Sequence, residues 1–404
     1  MAEERMGVTY AKGFKAAGIH AGIRKNKTKR DLSLILSEVV GSAAGVYTTN
    51  LVKGAPLIVT KQNISDGKAQ AIVCNSGNAN TCNANGIEIA NGMCRLVAEH
   101  TGVSEKDVIV ASTGVIGQPL SLEPIQNAMG DLVSALSVEG HKDAAEGIMT
   151  TDTVRKEVQE DFTLSGVPCR IGGMAKGSGM IHPNMATMLV FLTTDAAIEA
   201  KTLQKALSET VADTFNMISV DGDTSTNDMV NIIANGMAGN PEVKEEGEDY
   251  QAFSAALKKV MVTLCKMLAK DGEGATKLLI CTVDGAKDKD CAKTVAKSVI
   301  CSSLLKAAMF GADANWGRVL CAAGYSGADF DPEKTDVDFL SSKGKIAVCR
   351  QGAGVDFSEE KAKEILSEDE ISILVNLNSG TQTATAYGCD LTYEYVKING
   401  DYRT

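Results

Sequence analysis

The sequence predicts an α/β protein, a layered sandwich of two β-sheets covered by helices, and three patterns carry that expectation. Short apolar runs alternate with longer amphipathic ones, the apolar runs end in small polar residues as buried strands do, and one long run keeps a single apolar stripe along its length. QAIVCNSG from Gln70 and DVIVASTG from Asp107 are the first such strands. Between them IEIANGMCRLVAEHTG carries Ile87 and Ile89 into a helical pattern that stops at Gly102. In the second half Phe253, Leu257, Val260, Met261, Leu264, Met267 and Leu268 recur at helical spacing, and the glycines of DGEGATK end that helix. Residues 271–277 then form a tight polar connection into the strand LLICTV. KTVAKSVICSSLLKAAMF is expected as one further helix ending near Gly311. In TATAYGCDLTYEYVKING, Leu391, Tyr393 and Tyr395 alternate with Thr392, Glu394 and Val396, the period of a strand. No repeat and no linker divides the chain.

Composition narrows the function. The 404 residues are 44% apolar and 23% charged, ordinary values for a folded globular protein. A net charge of -11 with no basic stripe argues against nucleic acid as a partner, because phosphate binding needs clustered Lys and Arg. The N-terminus lacks an apolar core of signal-peptide length, and no apolar run reaches the roughly 18 residues of a membrane helix, so no membrane partner and a cytoplasmic location are expected. The 11 cysteines include no CxxC pair and several sit in apolar runs, which makes them reduced core thiols. The four histidines show no ligand spacing, so no metal is expected.

Chemistry concentrates in residues 172–195, GGMAKGSGMIHPNMATMLVFLTTD. Glycines crowd its first half, and a strand-like apolar run begins at Met185. A threonine at such a strand start becomes a nucleophile if its own α-amine is freed, since the amine is a base within reach of the hydroxyl. Attack by the Thr187 hydroxyl on the Ala186 carbonyl would form an ester, and hydrolysis of that ester would free the amine. Strain at the bond would favour the shift. Oxyanion donors are offered by STGVIG, where Thr113 supplies a hydroxyl and Gly114 an unhindered amide, although the same residues also suit a plain strand-to-loop turn.

Other conspicuous residues have plainer readings. DGDTSTND, starting at Asp221, fails as a calcium loop because its sixth position is Thr226 and its twelfth is Ile232, and it is expected to be a polar turn beside the site. His182 is expected to be structural, Trp316 a core or interface anchor, and EVKEEGEDYQ a solvated loop.

The run KGSGMIHPNMATML resembles the self-cleavage segment of the ornithine acetyltransferases, also called bifunctional glutamate N-acetyltransferases of arginine biosynthesis. The resemblance extends through CNSGNANTC, ASTGVIG, MTTDT, DGDTSTND, DGEGATK, GADANWGRVLCAAGYSG and the terminal NGDYRT, in that order along almost the whole chain. It implies a DmpA/ArgJ-like sandwich, and cleavage between Ala186 and Thr187 into an alpha chain, 1–186, and a beta chain, 187–404, that fold as one unit. It makes Thr187 the nucleophile and Thr113 with Gly114 the oxyanion hole. Substrate contacts are implied at Thr150, Lys176, Thr187, Glu273, Asn399 and Thr404, with Thr151 and Thr153 as alternatives to Thr150. Lys176 suits a carboxylate and Glu273 an ammonium group. The implied reaction transfers acetyl from N2-acetylornithine to glutamate through acetyl-Thr187, with no cofactor and with acetyl-CoA as an optional second donor. A self-cleaving hydrolase or aminopeptidase is the alternative, and a non-catalytic binding protein with an intact chain is a weaker one. Two alpha and two beta chains are the implied assembly.

Overall fold

The structure, a computed structural model, describes residues 5–182 and 188–400. QAIVCNSG lies within the strand Lys68–Asn78 and DVIVASTG supplies Val108–Val115; the two pair in parallel. A parallel pair needs a crossover, and the helix Gly86–Thr101 provides it. Its Ala90, Met93 and Val97 share one face and pack on Val73, Val108 and Val110, whereas Ile87 faces solvent.

The first sheet runs Val108–Val115, Lys68–Asn78, Leu32–Tyr47, Met229–Ala234, Leu189–Thr194, Val167–Lys176, Lys156–Leu164, with Phe14–Ile19 paired to Leu32–Tyr47. The second runs Ala353–Gly354, Gly344–Arg350, Asp336–Ser341, Glu370–Asn376, Leu278–Ala286, Gln382–Cys389, Ile218–Ser219. Both sheets are mixed. The helix Glu248–Lys270 contacts both sheets: its apolar stripe, Phe253 to Leu268, joins Val190, Leu192 and Val230 of the first and Leu278 and Ile280 of the second in one core. Helices Lys289–Cys301, Trp316–Gly324 and Glu359–Leu366 share a second core with Leu279, Cys281 and Val283, which alternate with the first set along the strand. This is the expected sandwich of two helix-covered sheets.

Two elements differ from expectation. The strand at the C-terminal end stops at Cys389, and Tyr393–Gly400 is a helix none of whose residues is buried. The alternation there reflects residue type and not a buried face: Tyr393 is exposed, its ring set edge-on to Phe310 with centroids 5.9 Å apart. The run KTVAKSVICSSLLKAAMF breaks into Lys289–Cys301 and Ser303–Phe310, because Ser302 turns extended and its hydroxyl accepts the Leu305 amide as an N-cap. Trp316 packs at the edge of the second core. EVKEEGEDYQ is a solvated loop only over residues 242–247, and there Val243 is buried in the first core; from Glu248 it is helix, where Tyr250 is buried because the helix turns it onto the same core. All 11 cysteines are free thiols, eight of them buried. No helix among the described residues is long and apolar enough to cross a membrane.

Phe253 joins the two sheets through this helix, and its ring is tilted against Phe162 at 5.9 Å. Phe253→Ala is expected to lower the unfolding free energy by about 3–5 kcal/mol, the range for deleting a buried ring, read from denaturant titration.

Candidate active site

The end of the strand Val108–Val115 carries Thr113 and Gly114. Pairing with Lys68–Asn78 slips there, so that Thr113 faces both Ser76 and Asn78. Gly114 has φ 135°, and a Cβ on it would lie 2.3 Å from the Gly77 carbonyl carbon, so only glycine fits. Side chains hold the slipped strand in place. Ser112 Oγ donates to Asn75 Oδ1 at 2.6 Å, and Asn75 Nδ2 donates to the Asn78 carbonyl at 3.0 Å. Asn227 Nδ2 donates to the Ala79 and Ser112 carbonyls at 2.6 and 2.9 Å, and its Oδ1 accepts the Thr81 hydroxyl. DGDTSTND is thus the polar turn beside the site, tied directly to STGVIG.

Lys176 ends the strand Val167–Lys176 and pairs with Leu189, the first residue of the neighbouring strand. Burial pushes its ammonium below the usual lysine range, with Asp152 and Glu273 acting against that shift. Asp152 is buried beside it at 3.9 Å. Burial alone would raise the Asp152 carboxyl, but the Lys176 and Lys156 ammoniums and the Gly177 amide outweigh it and hold the group below the usual carboxylate range. Glu273 sits in the 271–277 turn, fixed by its amide bonding to the Ser178 carbonyl at 2.9 Å. Its Oε2 accepts Asn399 Nδ2 at 2.6 Å. The C-terminal helix that carries Asn399 docks on the same turn, with Thr392 Oγ1 donating to the Gly274 carbonyl at 2.7 Å.

Thr113, Gly114, Thr150, Lys176, Glu273 and Asn399 line one cavity of about 140 Å³, together with Met188, Leu189, Thr151, Gly179 and residues 225–228 of DGDTSTND. Ala186, Thr187 and Thr404 lie outside the described residues. Met188 follows immediately, its carbonyl accepting the Met229 amide at 3.1 Å. Of the three threonines in MTTDT, Thr153 bonds Asp271 through its hydroxyl and amide and does not line the cavity, whereas Thr150 and Thr151 do. The Thr151 hydroxyl also bonds Ser178 Oγ at 2.7 Å.

His182 is not among the cavity-lining residues. Its Nδ1 is 3.1 Å from Ser219 Oγ, and burial, with nearby Lys297, pushes its pKa down to about 4. A neutral imidazole held in that way is structural. Sequence reasoning missed the buried ion pairs of Lys156 with Asp152 and Asp271, and it missed Gly179. Asp152 lies in MTTDT, four residues from Lys156, and Asp271 in DGEGATK, but nothing local in sequence joins Lys156 to Asp271, 115 residues away. A cavity lined by a cation, a carboxylate, a threonine hydroxyl and a glycine amide has the groups to hold a charged amino acid and to donate hydrogen bonds to an acyl oxygen.

A profile of the ArgJ family matches residues 15–404. The chain is 52% identical over 394 residues to the arginine biosynthesis bifunctional protein ArgJ of Caldanaerobacter subterraneus subsp. tengcongensis, with 97% of each chain covered. It is 51% identical to ArgJ 1 of Clostridium acetobutylicum over 97% of this chain and 96% of that one. Among solved structures it is similar to the arginine biosynthesis bifunctional protein argJ from Bacillus halodurans, at 48% identity and a TM-score of 0.51, over 54% of this chain and 100% of that chain.

Gly179 lets the Glu273 carboxylate approach, since a Cβ there would lie 2.4 Å from its carboxyl atoms. Gly179→Ala is expected to displace that carboxylate and lower kcat/KM about 10²-fold, the scale for an ångström of misplacement, with an unchanged circular dichroism spectrum.

Proposed function

This chain belongs to the ArgJ family, and from that premise we propose that it carries acetyl from N2-acetylornithine to glutamate through an acetyl ester on Thr187. It is an acyltransferase of arginine biosynthesis. The observation that carries the residue assignments is the meeting of Lys176, Glu273, Asn399, Thr113 and Gly114 around one cavity beside Met188.

The chain first cuts itself. The Thr187 hydroxyl attacks the Ala186 carbonyl, the amide nitrogen leaves as the free α-amine of Thr187, and water hydrolyses the resulting ester. The freed amine then takes the hydroxyl proton as the oxygen attacks the acetyl carbonyl of N2-acetylornithine. Thr113 and the Gly114 amide receive the oxyanion, the C–N bond breaks, and ornithine leaves with the proton on its α-amine. Glutamate enters, its α-amine attacks the acetyl ester, and the threonine hydroxyl is restored. Lys176 pairs the α-carboxylate, and Glu273, held by Asn399, pairs the distal ammonium of ornithine.

No cofactor enters these steps. We extend the proposal to acetyl-CoA as a second donor to the same threonine, to Thr404 as a further substrate contact, and to an assembly of two copies of each fragment in the cytoplasm.

The proposal is tested by assay with N2-acetylornithine and glutamate, followed by N-terminal sequencing of the fragments. Formation of N-acetylglutamate by protein containing a fragment that begins TMLVFL is expected. Release of free acetate in place of N-acetylglutamate, or full activity in an uncut chain, overturns it. Glu273→Gln is expected to raise KM for N2-acetylornithine about tenfold and more than it raises KM for glutamate, because a charge-assisted hydrogen bond is lost for the donor while repulsion towards the acceptor's distal carboxylate is relieved.

A further inference from the structure

Behind the cavity lies a buried group of charges that the reaction as proposed does not use. Lys156 opens the strand Lys156–Leu164 and is wholly buried. Its Nζ donates to Asp152 Oδ1 at 2.7 Å and to Asp271 Oδ2 at 2.5 Å, with the Val154 carbonyl at 3.4 Å. Asp152 also accepts the amides of Gly177 at 2.6 Å and Thr150 at 2.9 Å, and Asp271 accepts the Thr153 amide at 3.1 Å. Each aspartate is therefore tied to the cavity wall: Asp152 accepts the amide of Thr150, which lines it, and that of Gly177, next to Lys176, while Asp271 stands two residues before Glu273 in the same turn.

The charges have a consequence for Lys176. Two carboxylates and two ammoniums balance in this group, and Lys156 touches both carboxylates, whereas Lys176 stands 3.9 Å from one of them. Were Lys156 neutral, Asp152 would be left buried with Lys176 as its remaining direct cationic partner, and a buried charge without its counterion is costly enough to pull that partner in. The Lys176 ammonium would then close on Asp152 and turn from the cavity.

We propose that Lys156 is a positioning residue: by neutralising Asp152 and Asp271 together, it keeps the Lys176 ammonium available to the substrate carboxylate. Lys156 acts through Lys176 and touches no substrate. The inference rests on the reading that Lys176 binds that carboxylate. Both substrates carry an α-carboxylate, so the effect falls on both, unlike a change at Glu273.

Steady-state kinetics on the full chain, after self-cleavage has been checked on gels, test this with three variants. Lys156→Met is expected to raise KM for N2-acetylornithine and for glutamate by tenfold or more each, with kcat changed less than threefold. Adding Asp152→Asn removes the carboxylate that captures Lys176, so Lys156→Met/Asp152→Asn is expected to bring both KM values back to within about threefold of the unsubstituted chain. This double variant replaces the Lys156–Asp152 pair by neutral groups of similar size and leaves Asp271 held by the Thr153 amide and hydroxyl, so its fold is checked by circular dichroism before its kinetics are read, alone if the single variant does not fold. A merely structural pair predicts that the double variant is at least as impaired as the single one, and KM values that stay tenfold raised overturn the proposal. Lys176→Met separates the two levels. If it leaves KM for both substrates unchanged, the assignment of Lys176 fails whatever Lys156 does; if it raises KM while Lys156→Met does not, the positioning role alone fails.

Discussion

The pairing of Val167–Lys176 with Leu189–Thr194 is the constraint on which the site depends. Antiparallel neighbours that meet at Lys176 and Leu189 bring the end of one strand beside the start of the next, at one end of the sheet. That end is where Thr113 and Gly114 emerge from Val108–Val115 and where the 271–277 turn leaves the helix Glu248–Lys270. A break in the backbone between these strands does not release them. Leu189–Thr194 stays bonded to Val167–Lys176 on one side, and Met229–Ala234 stays bonded to Leu32–Tyr47, so strands from before and after position 187 interleave in a single sheet.

Electrostatics then selects what the cavity holds. Lys176 and Glu273 bring opposite charges to the lining of one small space, and each is fixed from behind, Lys176 at the end of a strand and Glu273 by Ser178 and Asn399. On the proposed reading an amino acid with a carboxylate and a distal ammonium meets both charges at once, whereas glutamate meets Lys176 and leaves Glu273 on Asn399. Preorganisation comes from elements with little freedom: the slipped register at Gly114, the four side-chain hydrogen bonds of Asn227, and the C-terminal helix pinned by Thr392.

Much of this was legible in the sequence where local pattern decides structure. The stripe from Phe253 to Leu268 has only one way to bury itself, as a helix, and the glycines of DGEGATK mark its end. Alternation misled at Tyr393, because aromatic and polar residues can alternate on an exposed helix as readily as on a strand, and only burial tells them apart. Ser302 was hidden inside a helical period, its capping role set by the local turn. Of the residues around the cavity, Thr113 and Gly114 were offered by the strand end itself, with a plain turn as the alternative, whereas Thr150, Lys176, Glu273 and Asn399 were named through resemblance. Lys156 had no such signal: a lysine beside Arg155 and Glu157 has the local pattern of a solvated face, and its partner Asp271 is brought to it only by the packing of Glu248–Lys270 on the first sheet.

Mass spectrometry of the cleaved protein after mixing with N2-acetylornithine alone tests the central claim most directly. With Thr187 as the acetyl carrier, the 187–404 fragment gains the mass of one acetyl group as ornithine is released, and it returns to its original mass when glutamate is added and N-acetylglutamate forms. A fragment whose mass never changes, with ornithine released only when glutamate is present, would mean direct transfer between the substrates and would contradict an acetyl-threonine intermediate.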